Sequence, residues 1–141
     1  MASGAAGSAK ARPIILKRRQ DFLRVRKGAR SASAAFVVEA RPREGSDAHQ
    51  GAGQARFGFT VTKQVGTAVE RNRIRRRLKE AVRRAHEKHA RSDFDYVVIA
   101  RRPALEMPFE RLCAELLAAL KGVNRRAPPA PGAGRAKKNA R

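Results

Sequence analysis

Apolar residues recur along this chain in two rhythms. Between Arg56 and Thr62 they alternate, with Phe57, Phe59 and Val61 on one side and Gly58, Thr60 and Thr62 on the other. A period of two marks a half-buried strand. Ser33 to Arg41 collects Ala, Phe and Val in a β-favourable run, and Pro42 to Gln54 then gathers Gly, Ser, Asp, His and Pro as a loop. The two strands are predicted to pair as a hairpin across that loop. Phe94 to Ala100 is compact and apolar and predicts a central strand.

Helical spacing governs the rest. Asp21 to Gly28 predicts a short helix, with Gln20 or Asp21 near its start and Gly28 as its stop. Thr67-Ala68-Val69-Glu70 has capping-box spacing, so a long helix is predicted from there to about His89. Pro108 can open a last helix, in which Phe109, Leu112, Cys113, Leu116, Leu117 and Leu120 recur at helical intervals. Residues 1–13 are small, polar and aperiodic, and read as a disordered tail. Gly122 to Arg141 has three prolines, six basic residues and no acid, and reads as a second, basic tail with nothing to bury. The folded part is therefore 14–121, one domain in the order α-β-β-(β)-α-β-α: an α+β fold with helices packed on one small mixed sheet.

Charge narrows the function. Against 12 Asp+Glu stand 33 Lys+Arg, a formal net charge of +21. So lopsided a chain repels itself when compact unless a polyanion neutralises it, and nucleic acid is the commonest one. A membrane surface is the competitor, but there is no long basic amphipathic helix with a broad Phe/Leu face. Neither a spanning segment nor an apolar signal core is read in the sequence. The single cysteine excludes an intramolecular disulfide and fits a reducing cytoplasm. Arginines outnumber lysines 24 to 9. An Ala-, Gly- and Arg-rich composition accounts for that ratio as well as phosphate binding does, but not for where the charges sit.

They sit on the long helix. From Arg71 to Arg84, eight of fourteen residues are basic. On a helical wheel Ile74, Leu78, Ala81, Val82 and Ala85 share one stripe. Asn72, Arg76, Lys79 and Arg83 fall opposite, with Arg73, Arg75, Arg77 and Arg84 on the flanks. Like charges at i,i+4 each destabilise a helix by about 0.2–0.5 kcal/mol. A merely solvated face would alternate sign, and only Glu80 interrupts this one. Phosphates would turn the repulsion into binding energy by releasing counterions. Asn72, which donates and accepts at once, suits a ribose or base edge, although a local hydrogen bond would also explain it. Lys63 precedes a strand-to-helix junction, a place that can hold a phosphate.

The string Arg56-Phe57-Gly58-Phe59-Thr60-Val61-Thr62-Lys63, the Gly66 turn and Arg71-Asn72-Arg73-Ile74-Arg75-Arg76 resemble the signature of the bacterial ribonuclease P protein family. Asp21-Phe22 with Val25 and Gly28, and Asp95 to Arg101, extend the resemblance over roughly residues 14–121. It implies an α-β-β-β-α-β-α sandwich and a protein that makes and breaks no bond itself. In such a ribonucleoprotein endonuclease a catalytic RNA subunit, holding most of the Mg²⁺, removes the 5′ leader of precursor tRNA. Carried over on this resemblance, Lys63, Arg71, Asn72, Arg73, Arg75, Arg76, Arg77 and Lys79 are expected to contact RNA. Phe22 and Phe36 are the candidates for a cleft that receives the single-stranded leader, with core packing the competing reading for Phe36. The resemblance further implies the RNA subunit and precursor tRNA as partners, and a monomer in a one-protein, one-RNA holoenzyme. Departures fall at Gln64 and Thr67 and, in the cleft, at Arg26 and Glu39, where the family often has aromatic or apolar residues.

Three rivals are weaker. An independent nuclease needs converging carboxylates, histidines or metal ligands. His86 and His89 form an i,i+3 pair without an evident carboxylate partner, His49 lies in a polar loop, Asp93 and Asp95 flank a strand, and Cys113 is on an apolar helix face. Neither a catalytic residue nor a metal site is therefore assigned. A ribosomal or other structural RNA-binding protein fits the composition equally, and only the Lys63–Arg76 string separates the two. For a DNA-binding regulator the helix-turn-helix spacing is lacking.

Overall fold

The structure is a computed structural model that describes residues 14–43, 55–91 and 93–126, without the side chains of 86–89. Both expected tails (1–13 and most of 122–141), most of the 42–54 loop, His49 and the His86/His89 side chains lie outside that description.

The elements run β1 (Ile14–Ile15), α1 (Arg19–Val25), β2 (Ala29–Ala32), β3 (Phe36–Pro42), β4 (Arg56–Thr60), α2 (Ala68–His89), β5 (Phe94–Ala100) and α3 (Phe109–Arg126), with 3-10 turns at Lys63–Val65 and Arg102–Leu105. The five strands form one mixed sheet in the order β1-β4-β5-β3-β2. β5 is central: it runs parallel to β4, Phe57 beside Tyr96, and antiparallel to β3, Val38 beside Val98. The α+β class and the mixed sheet expected from the sequence are both present.

One pairing expectation is overturned. β3 and β4 do not form a hairpin; β5 lies between them. The reason is burial. The apolar run 94–100 has its side chains buried on both faces of the sheet apart from half-buried Ile99, so it takes the middle. β1 and β2 form the edges, where the sequence reading allowed for only one further short strand and gave it no range.

Alternation sorts the side chains. Phe36 and Val38 of β3, Phe57 of β4, and Phe94, Tyr96 and Val98 of β5 face α2 and α3 in the main core. They meet Ile74, Leu78, Ala81, Val82 and Ala85 from α2, the stripe the helical wheel marks out, and Leu112, Leu116 and Leu120 from α3. The Phe57 and Tyr96 rings stack with centroids 4.9 Å apart. On the other face a small cluster of Leu16, Val25 and Val97 takes α1, with Phe22 and Ile99 packed on it. Gly58 makes that possible, because a Cβ there would stand 2.6 Å from the Phe22 ring.

Charge finishes what this small cluster begins. Asp95, fully buried on β5, accepts from Arg56 Nε at 2.8 Å and Nη2 at 2.6 Å, and from Arg43 Nη1 at 3.0 Å. Arg24 of α1 also donates to it. Asp21, in the first turn of α1, pairs with Arg18 at 3.3 Å and lies 3.8 Å from Arg56. The Asp95 side chain thus ties α1 to the sheet.

The last helix corrects the domain boundary. Gly122 does not stop it; α3 continues to Arg126, with Gly122 and Val123 buried. The Tyr96 hydroxyl donates to Asn124 Oδ1 at 2.7 Å and accepts the Arg91 N–H at 2.8 Å, and burial pushes its pKa up to about 12. Gly122 serves close approach to β2, since a Cβ there would lie 3.1 Å from Ser31 Oγ.

Candidate RNA interface

α2 starts at the capping box read from the sequence. The Thr67 N–H donates to Glu70 Oε1 at 2.9 Å, and the Glu70 N–H donates to Thr67 Oγ1 at 3.2 Å. Arg102 grips the same carboxylate through two nitrogens, at 2.8 and 3.1 Å. That grip, then the Thr67 N–H, holds the Glu70 carboxyl down at about 2. The positive end of the helix dipole is therefore already met by a carboxylate. Lys63, on the 3-10 turn before it, is exposed.

The cations of α2 divide by partner. Arg73, Arg76 and Lys79 are exposed and meet no acid among the described residues. Asn72 is exposed beside them, its Oδ1 accepting from half-buried Arg75 at 3.1 Å. Arg71 is half-buried and donates Nε to the Gly66 carbonyl at 3.2 Å. Further along, Glu80 pairs with Arg83 at 2.6 Å and Arg84 at 3.2 Å, which holds its carboxyl down at about 2.

Arg77 is the exception to the expected ridge. It turns to the 102–107 loop and donates to the carbonyls of Ala104 and Leu105, both at 2.7 Å, and to that of Met107. Burial, then the neighbouring charge of Arg73, lowers its pKa. Its head group closes a loop and does not stand on the ridge with Arg73 and Arg76.

A second surface lies on the α1 face of the sheet. A cavity of about 490 Å³ is floored by Val97, Ile99 and Thr60, walled by Phe22 and Leu23 of α1, and rimmed by Lys17, Arg19, Arg26 and Arg30. Phe22 lines this cavity. Phe36 does not: it is 0% exposed and packs in the main core on the opposite face of the sheet. The period-two alternation that pairs Phe36 with Val38 and Ala40 already separates it from Val37 and Glu39, which face the cleft side. The cationic rim is what sequence reasoning missed, since Lys17, Arg19 and Arg30 are scattered over two elements and a connection. Only the departures at Arg26 and Glu39 point to it.

Among the described residues no group of three or more His, Cys, Asp or Glu is placed to hold a metal ion. Cys113 is half-buried against the main core, where burial raises its thiol pKa. No helix among the described residues is long and apolar enough to cross a membrane.

A mixed sheet that displays a helix with a row of exposed cations on one face and a cation-rimmed apolar cleft on the other defines a small basic protein shaped to meet a polyanion. Comparison with known proteins is specific. The ribonuclease P family model matches residues 11–124. A ribonuclease P protein component from Paramagnetospirillum magneticum is 49% identical over 109 residues, 77% of this chain and 80% of its own length. Among solved structures, the ribonuclease P protein of Staphylococcus aureus is 32% identical with a TM-score of 0.61, over 76% of this chain and 92% of its own. That of Thermotoga maritima is 29% identical with a TM-score of 0.63, over 77% and 96%. The chain belongs to the ribonuclease P protein family.

Proposed function

We propose that this chain is the protein subunit of a ribonuclease P holoenzyme, one protein bound to one RNA in the cytoplasm, acting in removal of the 5′ leader from precursor tRNA. The exposed side of α2, with Asn72, Arg73, Arg76 and Lys79, meets the catalytic RNA; Arg71, Arg75 and Lys63 border that contact. The cleft under α1 receives the single-stranded leader, its rim drawing phosphates and Phe22 offering a ring on which a base can stack, a contact worth about 1–3 kcal/mol. Bond cleavage is the work of the RNA subunit and of Mg²⁺ held mainly by it. This chain contributes affinity and position. The observation that carries the reading is the row of exposed cations on α2 that meet no acid among the described residues, within a family match that spans residues 11–124.

The test is cleavage of precursor tRNA at low Mg²⁺ by a bacterial ribonuclease P RNA, with and without the protein. Leader removal that requires both partners, and none by the protein alone, is the expected result. Tight RNA binding that never assists cleavage would instead favour a structural RNA-binding role such as that of a ribosomal protein.

A further inference from the structure

The turn of α2 that bears Arg71, Asn72 and Arg73 begins with an acid, the half-buried Glu70. On a helix its side chain neighbours the residues three and four places on, which are Arg73 and Ile74. Glu70 nevertheless takes its arginine from far along the chain. Arg102, on the 3-10 turn after β5, donates Nη1 to Oε1 at 2.8 Å and Nη2 to Oε2 at 3.1 Å. The same Nη1 donates to the Val65 carbonyl at 3.0 Å. Gly66 leaves room for the pair, since a Cβ there would stand 2.5 Å from Glu70 Oε1 and 2.6 Å from Arg102 Nη1.

Glu80, the next acid on the helix, shows the alternative. It pairs within α2, with Arg83 and Arg84 three and four places on, at 2.6 and 3.2 Å. The same spacing would give Glu70 to Arg73. Arg73 instead is exposed and meets no acid among the described residues. The difference is Arg102, whose two-pronged grip is the strong form of a guanidinium–carboxylate pair. That grip arrives on a fixed backbone. Arg77 of α2 donates in the opposite direction, to the carbonyls of Ala104, Leu105 and Met107, and so anchors the turn that carries Arg102.

We infer that Arg102 is a positioning residue for RNA binding: by occupying Glu70 it keeps that carboxylate off Arg73 and leaves the Arg73 guanidinium to a phosphate. It acts through Arg73 and does not itself touch the RNA. Without Arg102, Glu70 turns to Arg73 within one helical turn, and its uncovered charge repels the phosphate that Arg73 would take. This inference rests on the reading of α2 as the contact with the RNA subunit.

The experiment measures binding of the full chain to a bacterial ribonuclease P RNA across a salt series. Arg102→Gln should lower affinity about fivefold at low salt and shrink the slope of log affinity against log salt by about one, the value of one phosphate contact. Adding Glu70→Gln, which keeps a capping side chain in place, should recover most of that loss, and more than the same change gains in the parent. Gly66→Ala, in extended backbone that any residue adopts, crowds the same pair and stands in should Arg102→Gln fail to fold. It should show the same loss and the same recovery. A loss that Glu70→Gln does not recover, at an unchanged melting temperature, makes Arg102 a direct phosphate contact. With a lowered melting temperature it makes Arg102 a structural clamp. Either overturns the inference, as does an Arg102→Gln protein that binds like the parent. Arg73→Ala runs beside them, and if it leaves affinity and slope untouched the α2 reading itself has failed.

Discussion

Two groups of cations in this protein share a chemistry and differ in company. Arg24, Arg43 and Arg56 converge on Asp95 at α1, where Asp95, Arg43 and Arg56 are buried and Arg24 is partly so. Arg73, Arg76 and Lys79 stand on the open side of α2 and meet no acid among the described residues. Acids are scarce, 12 against 33 bases, and the fold spends them selectively: Asp21 and Asp95 under α1, Glu70 on Arg102, and Glu80 on the later turns of α2. Charge count alone would rank both groups as interfaces. The supply of carboxylate separates the two: one group is consumed within the fold, and the other stays on the surface as the proposed RNA contact.

The sharpest way to break this contrast is Asp95→Asn. Removing one partner of a buried ion pair leaves uncompensated charge and costs about 3–5 kcal/mol. Urea unfolding should show that loss, and an unchanged midpoint would make the buried cluster irrelevant to stability. Arg77→Ala comes next, because three carbonyls lose a charged donor, each such hydrogen bond counting for about 1.5–3 kcal/mol when taken singly. Stability should fall while the salt dependence of RNA-subunit binding holds, which would set Arg77 with the structural cations.

Arg73→Ala with Arg76→Ala should do the reverse. The slope of log affinity against log salt should shrink by about one for each lost phosphate contact. The melting temperature should hold or rise, since i,i+4 repulsion between Arg73 and Arg77 is relieved. Equal slopes for variant and parent would remove α2 from the interface.

The smallest effect is acid sensitivity. Glu70 and Glu80 are depressed in the fold from 4.5 to about 2. A lowered folded pKa means that their contribution is complete above the unfolded value and is lost as pH falls from 4.5 towards 2. Both pairs lie at the surface, so solvent screening keeps the loss modest. A double Gln variant should flatten the melting-temperature profile across that window.

Much of this was legible in the sequence, where local pattern decides. The α2 stripe, the Thr67–Glu70 capping box and the apolar run of β5 each follow from spacing within one segment. What escaped depends on partners distant in the chain. Which strand lies beside β4 is set by burial across the whole sheet. Whether Phe36 or Phe22 faces the cleft is set by strand alternation and by the room that Gly58 leaves. Arg77 read as a surface cation because the carbonyls that bind it belong to residues 104–107. Gly122 and Val123 read as the start of a tail because their burial is invisible until α3 meets β2, where a bare backbone lies beside Ser31.

The central place of β5 also dictates an order of events. Residues 94–100 supply the neighbour of both β3 and β4. Until they have been synthesised, neither strand has its inner edge covered, and Asp95 is not yet present to gather the arginines of earlier segments. Such non-local pairing folds slowly, because loop-closure entropy is lost before contacts form. The nascent chain should therefore emerge as a strongly cationic polymer that consolidates late, in one cooperative step, when its central strand arrives.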